Sequence, residues 1–217
     1  MRDLGVFQSL GAVWVRVLAE IENNGAAAIY TDNAGEQADA KELFDVTAEV
    51  QNADLPDAII ERHKVREEYD WMVRNFTVQG EVPELHHENS YASRLYSYMG
   101  KKNQVDWLAD RLRSNPTTRS AAITMFEPLT DEGYIPCVSL LDFQENAGQL
   151  NMTAYCRALD FGCKAYVNLV MLRLIQNDIA EKVGMNCGKL TLLVKSAHFY
   201  LRDRDKVLKI LREEHAV

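Results

Sequence analysis

The chain has 217 residues, and none of its apolar runs approaches the ~18 residues that a membrane-spanning helix needs. No membrane partner is expected. It also has no basic excess: 24 Lys and Arg face 32 Asp and Glu, a net charge of −8. That balance argues against the broad cationic footprint of a nucleic-acid binder, but leaves room for a local pocket that holds a phosphate. The four cysteines, Cys137, Cys156, Cys163 and Cys187, form no C-x-x-C pair and have no histidine at zinc-finger spacing. No metal site is therefore expected. The opening stretch MRDLGVFQSLGAVWVRVLAEI carries acids among its apolar residues, unlike a secretion signal. A cytoplasmic protein with free thiols follows as the expectation. Repeats, low-complexity tracts and linkers are missing too. The reading is one domain over 1–217, long enough to bury a core without a disulfide or metal staple.

What is present is an alternation of helical and strand patterns. Leu4, Phe7, Leu10, Val13 and Leu18 recur near helical period and predict a first helix up to about Asn23, closed by a left-handed cap at NNG. In ELFDVTAEVQ, Phe44, Val46, Ala48 and Val50 alternate with polar residues as in a half-buried strand. Asp57 to about Asn75 reads as one helix, TVQGEVPELHHENS as a loop, and Asp106 to Ser114 as a helix stopped by Asn-Pro. The second half is richer in sheet. SAAITMF, IPCVSLLDF, GQLNMTAYCRALD and KLTLLVKSAHFY read as strands, with an apolar helix over Tyr166–Val183 and a charged helix from Asp203 to about Glu214. The expected class is α+β with a mixed sheet.

Several chemically active residues fall where this pattern would accept apolar ones. Cys137 follows a proline at the head of an apolar run. Arg157 lies on the polar face of a strand and Asp160 at its end. Asn168 stands at the start of an apolar helix, and His198 and Tyr200 share one strand face. Each has an ordinary structural explanation. A buried cysteine is commonly a small apolar side chain, Arg157 could pair with a surface carboxylate, Asp160 and Asn168 could be caps, and the two rings could be satisfied sheet residues. Together they describe a pocket with a thiol, a cation, an amide and two hydrogen-bonding rings. A cysteine hydrolase built on Cys137, His198 and Asp160 is the rival reading, although nothing in the sequence points to an oxyanion hole.

The combination resembles thymidylate synthase and its relatives, the pyrimidine-nucleotide hydroxymethylases. That family carries P-C, a strand ending R-x-x-D, an asparagine one loop later and H-x-Y on a later strand. Here Arg157, Asp160, Asn168 and His198 follow Cys137 by 20, 23, 31 and 61 residues, intervals that fit the family without a gap and argue against the hydrolase. In the first half the likeness is looser. TDNAGE resembles the T-D-R-T-G loop, and EYDW the E-L-L-W helix that supplies the catalytic glutamate, here Glu68. YASRL resembles a loop that places a tyrosine near the base, here Tyr91. NPTTR resembles a turn whose arginines reach the partner subunit's phosphate, here Arg119.

The resemblance implies a sheet-mediated homodimer acting on a pyrimidine nucleoside monophosphate with 5,10-methylenetetrahydrofolate. Cys137 would add to C6 of the base, its pKa lowered by nearby arginines. Arg157 and Arg119 would bind the phosphate, Asn168 would read the base, His198 and Tyr200 would hold the sugar, and Asp160 would hold the pterin. Glu68 would move protons through water and Tyr91 would assist near the base. An aspartate at Asn168 would mark cytosine in this family, so dUMP is favoured, with CMP or dCMP as the alternative. The chain departs from the pattern at Asn33, Val138, Ser120 and Ala158, which thins the phosphate shell unless Lys101, Lys102 or Lys164 compensates. Only 17 residues follow Tyr200, fewer than the family's closing segment needs. That favours hydroxymethylation by water over methylation, with a short thymidylate synthase or a catalytically lapsed homologue as alternatives.

Overall fold

In the computed structural model the described residues are 1–31, 36–51, 53–80, 82–85, 89–132 and 135–216. The expectation at Asn33 lies outside them, as do His86 and His87 of the expected loop. The elements run β1 (Arg2–Phe7), α1 (Leu10–Asn24), β2 (Ala26–Thr31), β3 (Gln37–Val50), α2 (Ala58–His63), α3 (Arg66–Thr77), α4 (Tyr91–Tyr96), α5 (Gln104–Ser114), β4 (Ala122–Thr124), β5 (Val138–Asn146), β6 (Gln149–Cys156), β7 (Leu159–Asp160), α6 (Ala165–Val183), β8 (Asn186–Tyr200) and α7 (Arg204–Glu213). The strands form one mixed sheet in the order β1-β3-β8-β6-β5-β4, with β2 on the first half of β3 and β7 on β8. The class is α+β, as expected. Among the described residues no helix is long and apolar enough to cross a membrane.

Four local expectations fail for identifiable reasons. The predicted first helix begins later, because Arg2–Phe7 is a strand parallel to β3. Gly5, at φ +88°, takes a left-handed conformation inside it, and the register slips between Asp3 and Val6. That bulge brings Leu4 and Phe7, three apart, onto the core together, which is the spacing that imitates a helix. The cap after Asn24 is not left-handed: Gly25 is extended at φ −70°. The glycine is needed for space, since a Cβ there would meet the Ile21 carbonyl at 2.5 Å. The single helix from Asp57 is two, broken where Lys64 and Val65 turn extended and Tyr166 hydrogen-bonds the Val65 backbone. YASRL is a short helix rather than a loop, capped by Ser90.

One face of the sheet carries the core, with Leu190, Leu192 and Val194 of β8 beside Val46, Ala48 and Val50 of β3. Core-side residues are two apart within each strand, but three apart at one level of the sheet. Val46 gives way to Leu43, Cys156 to Leu159, and Val194 to Ala197. These residues are register partners: Val46 and Cys156 both face Val194, while Leu43 and Leu159 both face Ala197. Asp45, at φ +56°, marks the step on β3, and its carboxylate pairs with Lys195 at 2.9 Å. Phe44 is therefore not on the buried face as its alternation predicts; it is exposed. The opposite face is bare and includes the row Leu140, Tyr155 and Leu193, the first two 39% exposed.

Helix α4 is locked by a buried ion pair. Arg94, 1% exposed, makes two 2.8 Å bonds to Asp131 and a third, of 2.7 Å, to the Met125 carbonyl. Glu127 lies 3.8 Å away. Arg94→Met would strand two buried carboxylates, so chemical denaturation should report a loss of about 3–5 kcal/mol.

Candidate functional site

The step opens a cavity of about 220 Å³ at the end of the sheet, lined by Cys137, Arg157, Asp160, Asn168, His198, Tyr200 and Tyr91. Seven of the nine residues singled out in the sequence thus converge within one chain. Cys137 sits just before β5, where its carbonyl accepts from the Arg157 amide at 2.8 Å. Tyr91 opens α4. Its phenol oxygen accepts from the Val138 amide at 3.0 Å, beside the thiol, and its ring stacks on Phe76 at 4.4 Å. Arg157 occupies the break between β6 and β7, where its Nε donates to the Ile135 carbonyl at 2.9 Å. Asp160 pairs with His198 in the register of β7 and β8, and its carboxylate accepts from the Gly162 amide at 3.1 Å.

Asn168 lies in the first turn of α6 and is 4% exposed. Its Nδ2 donates to the Lys164 carbonyl at 3.1 Å, while its Oδ1 has no partner among the described residues. A buried acceptor left open carries a cost, and Asn168 is among the residues that line the cavity, so a ligand donor could satisfy it.

Burial governs the titrating groups. His198 is pushed down to about 4 by burial, against the opposing charge of Glu42, so its imidazole is neutral near pH 7. Asp160 is pushed up to about 6 by burial, with Lys164 opposing. Cys137 corrects the sequence expectation. Its thiol is raised rather than lowered, because burial outweighs the attraction of Arg157 and Lys164.

Two expected residues stand apart. Arg119 lies on the bare face of the sheet with Asp142, Gln144 and Lys189, not in the Cys137 cavity. Glu68 is one helical turn from Trp71 and Met72, which do line the cavity, but its carboxylate is engaged by Tyr166 and Lys206. Of the compensating lysines only Lys164 reaches the cavity, over the Trp71 ring; Lys102 packs on Trp107. Ser120 gives its carbonyl to Arg111.

Sequence reading missed Tyr30, Trp71, Met72 and Asn75. The last three continue the 68-71-72-75 stripe of α3, a helical signal that was available. Asn75 accepts from the Tyr91 amide at 2.9 Å. Tyr30 gives no local signal. It arrives through the β2–β3 pairing, bonds Glu42, and sets its ring 5.1 Å from His198 and 6.0 Å from Tyr200.

The raised carboxyl of Asp160 has a stability consequence. Above about pH 6 the group is charged in both the folded and unfolded states, and the folded state bears the cost of burying it. Below about pH 4 it is protonated in both and the cost disappears. Asp160→Asn should therefore stabilise the fold by about 1–3 kcal/mol at pH 8 and by nearly nothing below pH 4, in matched denaturation curves.

A family model described as thymidylate synthase matches residues 37–217. Among curated proteins, a "Putative thymidylate synthase" of Methanosarcina barkeri is 30% identical over 210 residues, 94% of this chain and 93% of that protein. A protein of the same description from Methanococcoides burtonii is 29% identical over 208 residues, with the same shares covered. Among solved structures, the thermostable thymidylate synthase A of Bacillus subtilis superposes with a TM-score of 0.74 at 19% identity, over 94% of this chain and 84% of that one. A match that takes in β3 through α7, with a fold shared over nearly the whole chain, places this protein in the thymidylate synthase family of one-carbon transferases.

Proposed function

We propose that the protein transfers a one-carbon unit from methylenetetrahydrofolate to C5 of a uracil nucleoside monophosphate, dUMP in preference, and releases the 5-hydroxymethyl product. The observation that carries the substrate class is the unpartnered Oδ1 of Asn168, a residue that lines the cavity with Cys137 and Arg157. Uracil presents an N3–H donor to that oxygen, whereas N3 of cytosine is an acceptor. Cys137 Sγ adds to C6, which makes C5 a nucleophile, and Arg157 and Lys164 stabilise the thiolate as it forms. Arg157 also meets the phosphate. The neutral His198 and the Tyr200 hydroxyl bind the sugar, and Tyr91 packs beside the base.

Asp160 suits the folate ring. Above about pH 6 it is a carboxylate, able to accept from two neighbouring N–H groups. When bound, the folate supplies carbon at the methylene oxidation level. Glu68 relays protons to and from the base through water. Arg119 serves the phosphate of a second copy packed on the bare face of the sheet, making a homodimer.

The hydroxymethyl reading is supported by the position of α7. It is docked on α1 through Arg204 and Glu22 at 2.5 Å, and on α2 through Glu214 and His63 at 2.7 Å. So placed, α7 does not line the cavity among the described residues, an arrangement consistent with water reaching the reacting carbon from that side. A methyl product is the second reading, supported by the names of the methanogen relatives.

Cys137→Ala should abolish turnover while dUMP affinity, by calorimetry, stays within about twofold. Wild type with dUMP and labelled water should place the label in the nucleotide and release tetrahydrofolate. Unlabelled product with stoichiometric dihydrofolate would establish the methyl reading instead. Asn168→Asp should move the uracil-to-cytosine ratio of kcat/KM toward cytosine by roughly 10- to 100-fold.

A further inference from the structure

Beneath the cavity, two carboxylates share one ammonium, and a third stands close by. Glu68, on the cavity stripe of α3, accepts from Lys206 Nζ at 3.0 Å through Oε1 and from the Tyr166 hydroxyl at 3.1 Å through Oε2. Lys206 comes from the first turn of α7 and also lies 3.4 Å from Asp203. Asp203 adjoins Asp160: a Cβ built on Gly162 would stand 3.2 Å from the Asp203 Cβ and 3.5 Å from Asp160 Oδ1. The charge of Lys206 is felt at Asp160 as well. The other titrating groups facing this cluster are Lys164, next to α6, and the thiol of Cys163, which is raised to about 12 by burial and by the Asp160 and Glu68 charges. From helix α1 the Trp14 ring packs against Tyr166.

We infer that Lys206 is a positioning residue for Glu68: through it, the last helix sets the orientation and ionisation of the carboxylate that serves the cavity. The functional part of this inference rests on the proton-relay reading of Glu68; the geometric part does not. Docking of α7 does not depend on Lys206. Val207, Ile210 and Leu211 are buried, and both ends of the helix have their own ion pairs, to Glu22 and to His63 and Arg62. The lysine also stays charged. Burial works against its ammonium, but the Glu68 hydrogen bond and the Asp203 charge outweigh it and leave its pKa above the ordinary value. Without Lys206 the acids of the cluster lose a cation, which disfavours the charged form of Glu68 relative to the wild type, and its carboxylate keeps the Tyr166 hydroxyl and the Cys163 thiol as partners.

The test uses the full-length protein with ¹³C-labelled carboxyl groups, and Glu68→Gln and Asp160→Asn to assign the two resonances. In Lys206→Met and Lys206→Gln, Glu68 should titrate about one pH unit higher than in wild type. The acid limb of kcat should move the same way and kcat at pH 7 should fall roughly 10- to 100-fold, with dUMP affinity held within about twofold. Lys206→Arg should restore most of both. An unchanged Glu68 titration and acid limb in a folded neutral variant would overturn the inference and leave Lys206 a structural ion pair. Absence of dUMP binding and turnover in wild type would instead defeat the functional reading, while the carboxyl titration still decides what Lys206 does to Glu68.

Discussion

The site depends on the level at which three neighbouring strands change the face they turn to the core. Below it Val46, Cys156 and Val194 are core side chains; above it Leu43, Leu159 and Ala197 take over. The side-chain period of a strand is two, so an unbroken β8 would put His198 and Tyr200 on the same side as Leu190, Leu192 and Val194, in the hydrophobic layer. The step adds one residue to each strand, Asp45 on β3 and its counterparts on the others, and transfers the functional residues to the opposite side. One strand doing this alone would be a bulge that disrupts its ladder locally. Three register partners stepping together preserve the pairing on both sides of the level.

A cavity made this way lies at the edge of the core, and its chemistry is a contest between burial and charge. Burial drives Cys137, Asp160 and His198 each toward the neutral form. The cations Arg157, Lys164 and Lys206 oppose it for the two acidic groups. Burial prevails at the thiol, so in the proposed reaction its reactivity would have to be drawn out as the sulfur bonds to carbon and its negative charge moves into the ring of the substrate. The resting state is thereby a protonated, weakly nucleophilic cysteine, less prone to side reactions than a thiolate.

The parts of this arrangement legible in the sequence are those whose spacing is set by regular structure. The distances from Cys137 to Arg157, Asp160, Asn168 and His198 are lengths of β5, β6, β8 and α6 plus short turns, so they hold their values along the chain. The parts that were not legible come from long-range pairing or from local breaks in periodicity. Tyr30 reaches His198 only because β2 lies along β3, and Lys206 reaches Glu68 across 138 residues. The β1 bulge at Gly5 placed apolar residues three apart and mimicked a helix. The split between α2 and α3 left no mark in an amphipathic pattern that continues across it. Burial of Cys137 was also invisible, since the sequence displays the nearby cations but not how deeply the sulfur sits.

Helix α7 links these two themes. Its apolar face is buried, and ion pairs to α1 and α2 at its two ends fix it in place, so its location is decided by packing that is independent of the cavity. A helix held in that way cannot also swing across the opening, and the same rigidity is what allows one lysine near its start to meet a carboxylate on α3 at hydrogen-bonding distance. Positioning and closure make opposite demands on a terminal element: the first requires a fixed anchor, the second a hinge. In this chain α7 meets the first demand. In the proposed reaction, exclusion of water would fall to other elements or to the substrate itself, while the packing of α7 holds Lys206 against the Glu68 carboxylate.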